Sequence, residues 1–272
     1  MRANQIKQLR QTILNLAVSG RLVPQDANDE PARELLKRIG EEKSRLVIAG
    51  KIRDSLSTAG TRTNEIAGEL PRSWEAVTIA EIAYLRSGIA LDHGEELPMG
   101  DLPYLKVADL SMVENDAGVI TSSRFVGKNR AEAAIEIGSI VFPKRGGAIA
   151  TNRKRITHVA IVCDSNLMAM KPFTDDIRPY LELWFDRFDL WTLNSGTSVP
   201  QINNKDIYPL PLFLPPLAEQ SRIVVKVDEL MALCDRLEAS LDAASTARSS
   251  LLEALLAEAL APEDVGEREA AE

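Results

Sequence analysis

Residues 214–256 read "LPPLAEQSRIVVKVDELMALCDRLEASLDAASTARSSLLEALL", and this stretch decides the fold. Two prolines stand just ahead of its first turn, which is where a helix tolerates them. Spacings of four and three connect ten positions over about five heptads: Ile223, Val227, Leu230, Cys234, Leu237, Leu241, Ala244, Arg248, Leu251 and Leu255. All but Arg248 are apolar, which predicts a long helix with the seam of a coiled coil.

The length of this helix limits which segments can cover its apolar seam. Forty helical residues make a rod of roughly 60 Å. A helix packed only on its own domain is the alternative, but so long a rod extends beyond the mixed domain that precedes it. The covering helices are therefore expected from the N-terminal region, from a second copy of the chain, or from both.

The N-terminal region predicts two more helices. Ile6, Leu9, Ile13 and Leu16 lie on one helical face, and Gly20 is a suitable residue to end that helix. A second amphipathic helix is expected from Pro31 to about Ile52, capped by Asp29. Polar residues interrupt the first apolar stripe, so a signal peptide is rejected.

Residues 71–214 follow a different pattern. Short β-prone runs alternate with Gly, Pro, Asn and Asp, as in "PYLKVADL", "GSIVFPKRGG", "RITHVAIVCD" and "NLMAMKPF". One helix is expected from about Pro179 to Leu190. The fold class is therefore predicted as α+β, a mixed domain between N-terminal helices and a long C-terminal helix.

Charge is distributed unevenly along the 272 residues. The net charge is −8, yet residues 121–160 carry 8 basic and 2 acidic side chains, and residues 217–272 carry 5 basic and 13 acidic ones. An acidic average therefore does not exclude a surface for nucleic acid. No stretch resembles a membrane span, and Cys163 and Cys234 fit reduced thiols in a cytoplasm.

Catalytic motifs are not visible. The sequence has neither GxxxxGK[ST] nor GxGxxG, and it lacks the NPPY or DPPY tetrapeptide of amino-methylating DNA methyltransferases. His93 and His158 are the only histidines, and His158 is expected in a strand. An HxE pair at His93 has no PCxxC partner, and "EEK" at residues 41–43 reads as a solvated helix face. An enzyme with an unrecognised site nevertheless remains one of three hypotheses for the function of this chain.

Binding residues are better represented. The stretch "FPKRGGAIATNRKRI" predicts a basic hairpin that could contact phosphates, and "SGTSVPQINNKDI" holds amides and hydroxyls that could read base edges. A solvated hairpin and an ordinary turn are the alternatives. The candidate DNA contacts are Lys106, Lys144, Arg145, Gly146, Gly147, Asn152, Arg153, Lys154, Arg155, Thr197, Ser198, Gln201, Asn203 and Asn204.

These stretches resemble the DNA-specificity subunit of type I restriction-modification systems. "LRQTILNLAVSGRLVPQDANDEPARELLKRI" is similar to the helices that precede a target recognition domain. "LPRSWEAVTIAEIA" is similar to the entry of that domain, and "GSIVFPKRGG" to an internal strand and turn. "SGTSVPQINNKDIYPLPLFLPPLAEQ" with the helix after it is similar to the domain's exit. The resemblance divides the chain into helices 1–53, linker 54–70, recognition domain 71–214, coiled-coil helix 215–261 and tail 262–272.

The resemblance implies a non-catalytic protein that reads double-stranded DNA in the cytoplasm. Methyltransferase subunits would dock on its helices, and a motor and nuclease subunit would join through the complex. S-adenosylmethionine, ATP and Mg²⁺ would be used by those partners, and this chain would need no cofactor or metal. Family members usually carry two recognition domains, so this chain looks like a half-subunit: a homodimer or a truncated remnant. A helical assembly protein whose mixed domain binds protein is the competing hypothesis.

Overall fold

The structure is a computed structural model that describes residues 3–52, 70–196 and 199–260. These residues form two compact units, one from residues up to 12 together with those from 228 onward, and one from residues 13–227. The predicted tail, and the predicted linker except its last residue, lie outside the described residues. No described helix is long and apolar enough to cross a membrane.

Two helices open the chain, α1 (Ala3–Val18) and α2 (Ala32–Ile48). Gly20 has a φ of +73° and the N–H of Arg21 donates to the Leu16 carbonyl at 3.1 Å, so glycine ends α1 as expected. The expected cap of α2 was wrong. No side chain caps this helix, and the Asp29 carboxylate instead accepts hydrogen bonds from Arg222 at 2.5 and 3.2 Å.

The described residues of the larger unit contain nine short strands. They are β1 (Glu75–Thr78), β2 (Ala83–Ser87), β3 (Leu102–Leu105), β4 (Phe125–Val126), β5 (Ile140–Pro143), β6 (Arg155–Ile156), β7 (Val162–Cys163), β8 (Leu167–Pro172) and β9 (Pro211–Leu214). One antiparallel sheet has the order β2-β8-β5-β6, and a second sheet has the order β4-β3-β7. Buried Leu105, Val141 and Ile161 belong to one apolar cluster that spans both sheets.

The ribbon of β1 and β9 joins the entry and exit of the mixed domain. Glu75 pairs with Leu214 and Thr78 with Pro211, although more than a hundred residues separate these strands. Helix α3 (Ile79–Ile82) follows β1, and α6 (Leu217–Leu260) begins just after β9. The mixed domain is therefore an insertion between the N-terminal helices and α6.

Two sequence expectations within this domain need correction. The run "RITHVAIVCD" is not one strand: β6 and β7 belong to different sheets, and His158 lies in a bend between them. Its Nε2 lies 3.1 Å from the Ala117 carbonyl oxygen. The expected helix to Leu190 is α4 (Arg178–Asp186), followed by a separate 3-10 turn, Leu190–Leu193.

The predicted seam on α6 is covered over only part of its length. Ile223, Val227 and Cys234 are buried, and Leu230, Leu237 and Leu241 are half-buried. Leu251 and Leu255 are 61% and 52% exposed. In the smaller unit Arg10 of α1 forms ion pairs with Asp235 and Glu238 of α6 at 2.6 and 2.7 Å. Among the described residues, the far end of the seam is therefore exposed.

Candidate nucleic-acid interface

The turn after β5 and the polar loop after α4 form one surface. The Lys144 carbonyl accepts a hydrogen bond from the N–H of Ile202 at 2.9 Å, and the Gly146 N–H donates to the Pro200 carbonyl at 2.8 Å. Arg145 and Gln201 face each other across this short bridge. The structure thereby brings together the two groups of candidate residues that the sequence offered separately.

The two glycines of this turn, Gly146 and Gly147, differ in backbone conformation. Gly146 has a φ of +74°, a conformation that residues with a Cβ rarely adopt. Gly147 begins the 3-10 helix Gly147–Thr151 at a negative φ. A Cβ at either position would meet nothing within 4 Å, so the backbone there is open to a ligand.

Lys144 and Arg145 are the cations on this turn. Arg145 is exposed and Lys144 is half-buried. Neither side chain makes a hydrogen bond or ion pair with any residue in the described ranges 3–52, 70–196 and 199–260. Partial burial, and secondarily the charge of Arg145, lower the pKa of the Lys144 ammonium. Two neighbouring cations without a carboxylate partner form a site suited to an anion such as phosphate.

The three cations at the other end of this segment, Arg153, Lys154 and Arg155, form contacts within the protein. Lys154 Nζ donates to the Phe188 carbonyl at 2.8 Å and lies 5.2 Å from the centroid of the Phe185 ring. Burial lowers the pKa of this lysine. Arg155 is paired with Asp116 at 3.3 Å, and Arg153 donates to the Leu110 carbonyl at 3.4 Å. These contacts anchor the hairpin to the domain.

A small pocket lies beside two of these cations. It has a volume of about 170 Å³, and Lys154 and Arg155 share its lining with the carboxylates of Glu182 and Asp186. Charges of both signs therefore meet around this pocket. No cluster of three or more His, Cys, Asp or Glu residues that could hold a metal ion exists in the described part of the chain.

Asn152 and Lys106 also have partners within the chain. Asn152 has a φ of +51°, and its Oδ1 accepts a hydrogen bond from the Leu190 N–H at 2.9 Å. Lys106 Nζ donates to Glu96 at 2.6 Å. Asn152 therefore fixes the 3-10 turn beside the hairpin, and Lys106 is neutralised by a carboxylate.

The polar loop is folded on itself. Asn194 Oδ1 accepts hydrogen bonds from the N–H groups of Gly196 and Gln201 at 2.9 and 2.7 Å. The Gln201 side chain donates to Asn203 at 2.7 Å. Thr197 and Ser198 lie outside the described residues. Much of the polarity that the sequence shows here satisfies the loop's own backbone.

The end of the loop is held by a short helix, α5 (Asn204–Ile207). Asp206 accepts hydrogen bonds from the Asn203 N–H and from the Ser195 hydroxyl, both at 2.7 Å. Asn204 is exposed. Within the described residues no hydrogen bond involves the Asn204 side chain, so its amide remains available to a partner.

One exposed aromatic residue, Trp191, was not predicted from the sequence as a site residue. Trp191 is 46% exposed and lies in the 3-10 turn beside the hairpin. In the sequence it ends the aromatic run "YLELWFDRFDLW", whose other aromatic side chains are buried or half-buried, so no local pattern distinguishes it.

The family model for the type I restriction modification DNA specificity domain matches residues 71–244. The chain therefore belongs to this family. Its curated relatives are specificity subunits, which are non-catalytic.

Two such relatives come from Escherichia coli. The type I restriction enzyme EcoAI specificity subunit is 35% identical over 92% of this chain and 44% of its own length. The EcoEI specificity subunit is 33% identical over 93% of this chain and 43% of its own length. The chain thus spans less than half the length of these relatives.

Solved structures share the fold at low sequence identity. The HsdS subunit from Thermoanaerobacter tengcongensis aligns over 87% of this chain and 52% of its own, with a TM-score of 0.51 and 17% identity. A chain from a structure of complex assembly and conformational transition in the type I R-M system aligns over 94% of this chain and 57% of its own, with a TM-score of 0.55 and 17% identity. At this identity the likeness concerns the fold alone.

Proposed function

We propose that this chain is the DNA sequence-specificity subunit of a type I restriction-modification complex and that its recognition domain reads one half-site. The observation that carries the proposal is the turn at Lys144 and Arg145. It presents two cations without partners among the described residues, and it is hydrogen-bonded to the polar loop at residues 200–202. Family membership supplies the ligand class, because the matching domain is a DNA specificity domain.

The candidate DNA contacts fall into three groups by proposed role: phosphate contact, base contact and stability of the domain. Lys144, Arg145 and the open backbone at Gly146 and Gly147 contact phosphates in this proposal, since phosphate contacts set the register of a protein on a duplex. Gln201 and Asn204 face bases, because amide side chains pair with the adenine edge. Stability depends on the cations at residues 153–155, on Asn152 and on Lys106, through the contacts described above.

The helices are the proposed docking surface for partner subunits. Methyltransferase subunits bind along α1, α2 and α6, and the motor and nuclease subunit joins through the complex. In this arrangement the partners use S-adenosylmethionine, ATP and Mg²⁺. The exposed leucines near the end of α6 support a further contact, with a second copy of the chain, because soluble proteins rarely expose a contiguous apolar face.

The salt dependence of DNA binding tests the proposal. Replacing both Lys144 and Arg145 with Ala should weaken binding to every DNA sequence. The slope of log affinity against log salt should become shallower by about 0.9 for each phosphate that the variant no longer neutralises. Titrations of labelled duplexes at several salt concentrations measure both effects. Arg33→Ala removes an exposed cation on α2 and should leave the slope unchanged.

Three outcomes would contradict this picture. A chain that binds no DNA, alone or with methyltransferase subunits, is a helical assembly protein or an inactive remnant. A double variant with the wild-type slope and melting temperature removes this turn from the interface. Methyl transfer or cleavage by the purified chain alone would reveal an enzyme.

A further inference from the structure

Trp191 is unusual among the aromatic residues of this protein. Its side chain is 46% exposed, whereas Trp74 and Trp184 are 5% and 1% exposed. Within the described residues it is the only aromatic side chain among the exposed large apolar residues. Scattered aliphatic residues on a surface are normal, but an exposed indole leaves a large apolar ring in water.

The backbone under Trp191 is fixed. Its N–H donates to the Asp189 carboxylate at 2.9 Å, and its carbonyl accepts from the Asn194 N–H at 3.2 Å. The preceding residue, Leu190, is fully buried, and Asn152 holds its N–H at 2.9 Å. The ring is thus presented by a rigid turn, which lowers the entropy lost when it binds a partner.

A series of hydrogen bonds connects Trp191 to the turn after β5, which carries Lys144 and Arg145. Asn194 bonds to Trp191 through its N–H and to the Gln201 N–H through its side chain. Pro200 and Ile202, on either side of Gln201, bond to Gly146 and Lys144. The 3-10 turn of Trp191 also packs against the 3-10 helix at residues 147–151. The segment that carries Trp191 is therefore connected by hydrogen bonds to the turn that carries Lys144 and Arg145.

An exposed indole on a fixed turn, connected to the turn proposed to contact phosphates, has the chemistry that stacks on an unstacked base. Aromatic side chains stack on bases of any sequence, and apolar side chains inserted between base pairs deform a duplex at a particular step. We propose that Trp191 stacks on a base at a step that opens when the recognition domain binds double-stranded DNA. This inference rests on the proposed function. It adds a contact that favours deformable steps rather than a particular base edge.

Tryptophan fluorescence tests the contact directly. Trp191 is the accessible indole, so quenching by acrylamide, which is uncharged, reports mainly on this residue. A duplex carrying the methylated motif mapped in cells that contain the system should quench the emission and protect it from acrylamide. Trp191→Phe should remove both changes. Emission that acrylamide quenches equally with and without saturating duplex would overturn the proposal.

Affinity provides the second arm of the experiment. Trp191→Ala should weaken binding by roughly five- to a hundredfold, Trp191→Phe should retain most of the affinity, and neither should change the salt slope. Val113→Ala truncates an exposed apolar side chain that lies outside the docking helices and is not among the candidate DNA contacts; it is the control and should bind like wild type. Wild-type affinity in Trp191→Ala refutes the stacking contact alone. Absence of any DNA binding by wild type refutes the proposed function and the stacking together.

Discussion

At the scale of the residue, one buried carboxylate links three segments of the larger unit. Glu219 is 1% exposed and accepts hydrogen bonds from the Trp74 indole at 2.9 Å and from Gln25 at 2.6 Å. Burial raises the pKa of Glu219, and the two hydrogen bonds and the charge of Arg222 only partly oppose this effect. The beginning of α6 is thereby joined to the loop after α1 and to the entry of the mixed domain.

The raised pKa predicts a pH-dependent stability. The folded state holds the proton of Glu219 more tightly than the unfolded chain, so stability is lost as the pH rises from the ordinary value of 4.5 through the raised one. Glu219→Gln has no proton to lose. The melting temperature of wild type minus that of Glu219→Gln should therefore fall with rising pH, as measured by thermal denaturation in a buffer series.

A second variant separates charge from hydrogen bonding. Glu219→Ala leaves the Trp74 and Gln25 donors unpaired, so it should destabilise the protein by about 1–3 kcal/mol on either side of this transition. A difference between wild type and Glu219→Gln that does not vary with pH would contradict the assignment.

Residue-level reasoning from the sequence identified five candidate cations but could not predict their contacts. The run "FPKRGGAIATNRKRI" offered five basic side chains as equals. The structure separates Lys144 and Arg145, which have no partner among the described residues, from Lys154 and Arg155, which meet Phe188 and Asp116. Those partners are distant in sequence, so no local pattern could have distinguished the two groups.

At the scale of the element, the turn after β5 depends on one of its two glycines. Gly146→Ala places a Cβ at a φ of +74°, which should cost about 1 kcal/mol. Gly147→Ala has open space and an ordinary backbone, so its stability should stay near that of wild type. Urea denaturation of the two variants measures the difference. Equal destabilisation of both would show that the turn's backbone conformation is not the reason for Gly146.

Elements with strong periodicity were predicted well, and those defined by pairing were not. The apolar stripes identified α1, α2 and α6, and their positions are confirmed. The run "RITHVAIVCD" reads as one strand, but β6 pairs with β5 while β7 pairs with β3. Propensity records a preference for extended backbone, whereas distant partners decide where a strand ends.

At the scale of the whole molecule, the end of α6 exposes an apolar surface that another chain could cover. Leu251, Leu252, Leu255 and Leu256 are each more than half exposed. Earlier seam positions, such as Cys234, are covered within a single chain. The sequence predicted the seam but not which part of it the chain itself would cover, because that depends on where the other helices end.

Pairing of two identical chains would cover these leucines, and a two-fold axis is the commonest symmetry for such a pairing. Two identical recognition domains related by that axis would read identical half-sites in inverted orientation. We therefore expect a homodimer, formed alone or on binding methyltransferase subunits, and a palindromic bipartite methylated sequence in cells that carry the system. Sedimentation equilibrium and methylation mapping measure the two properties.

The leucines themselves can be tested against a control on the same helix. Replacing Leu251 and Leu255 with Glu places charges in the seam and should shift the dimer toward monomer, because buried charges without partners are costly. Val225→Glu alters an exposed apolar residue of α6 outside the seam and should leave the association unchanged. A complex with methyltransferase that holds one specificity chain, or an asymmetric motif traced to this chain alone, would refute the symmetric model. In that case the exposed end of α6 would serve a different protein, and the half-site would be read together with a non-identical domain.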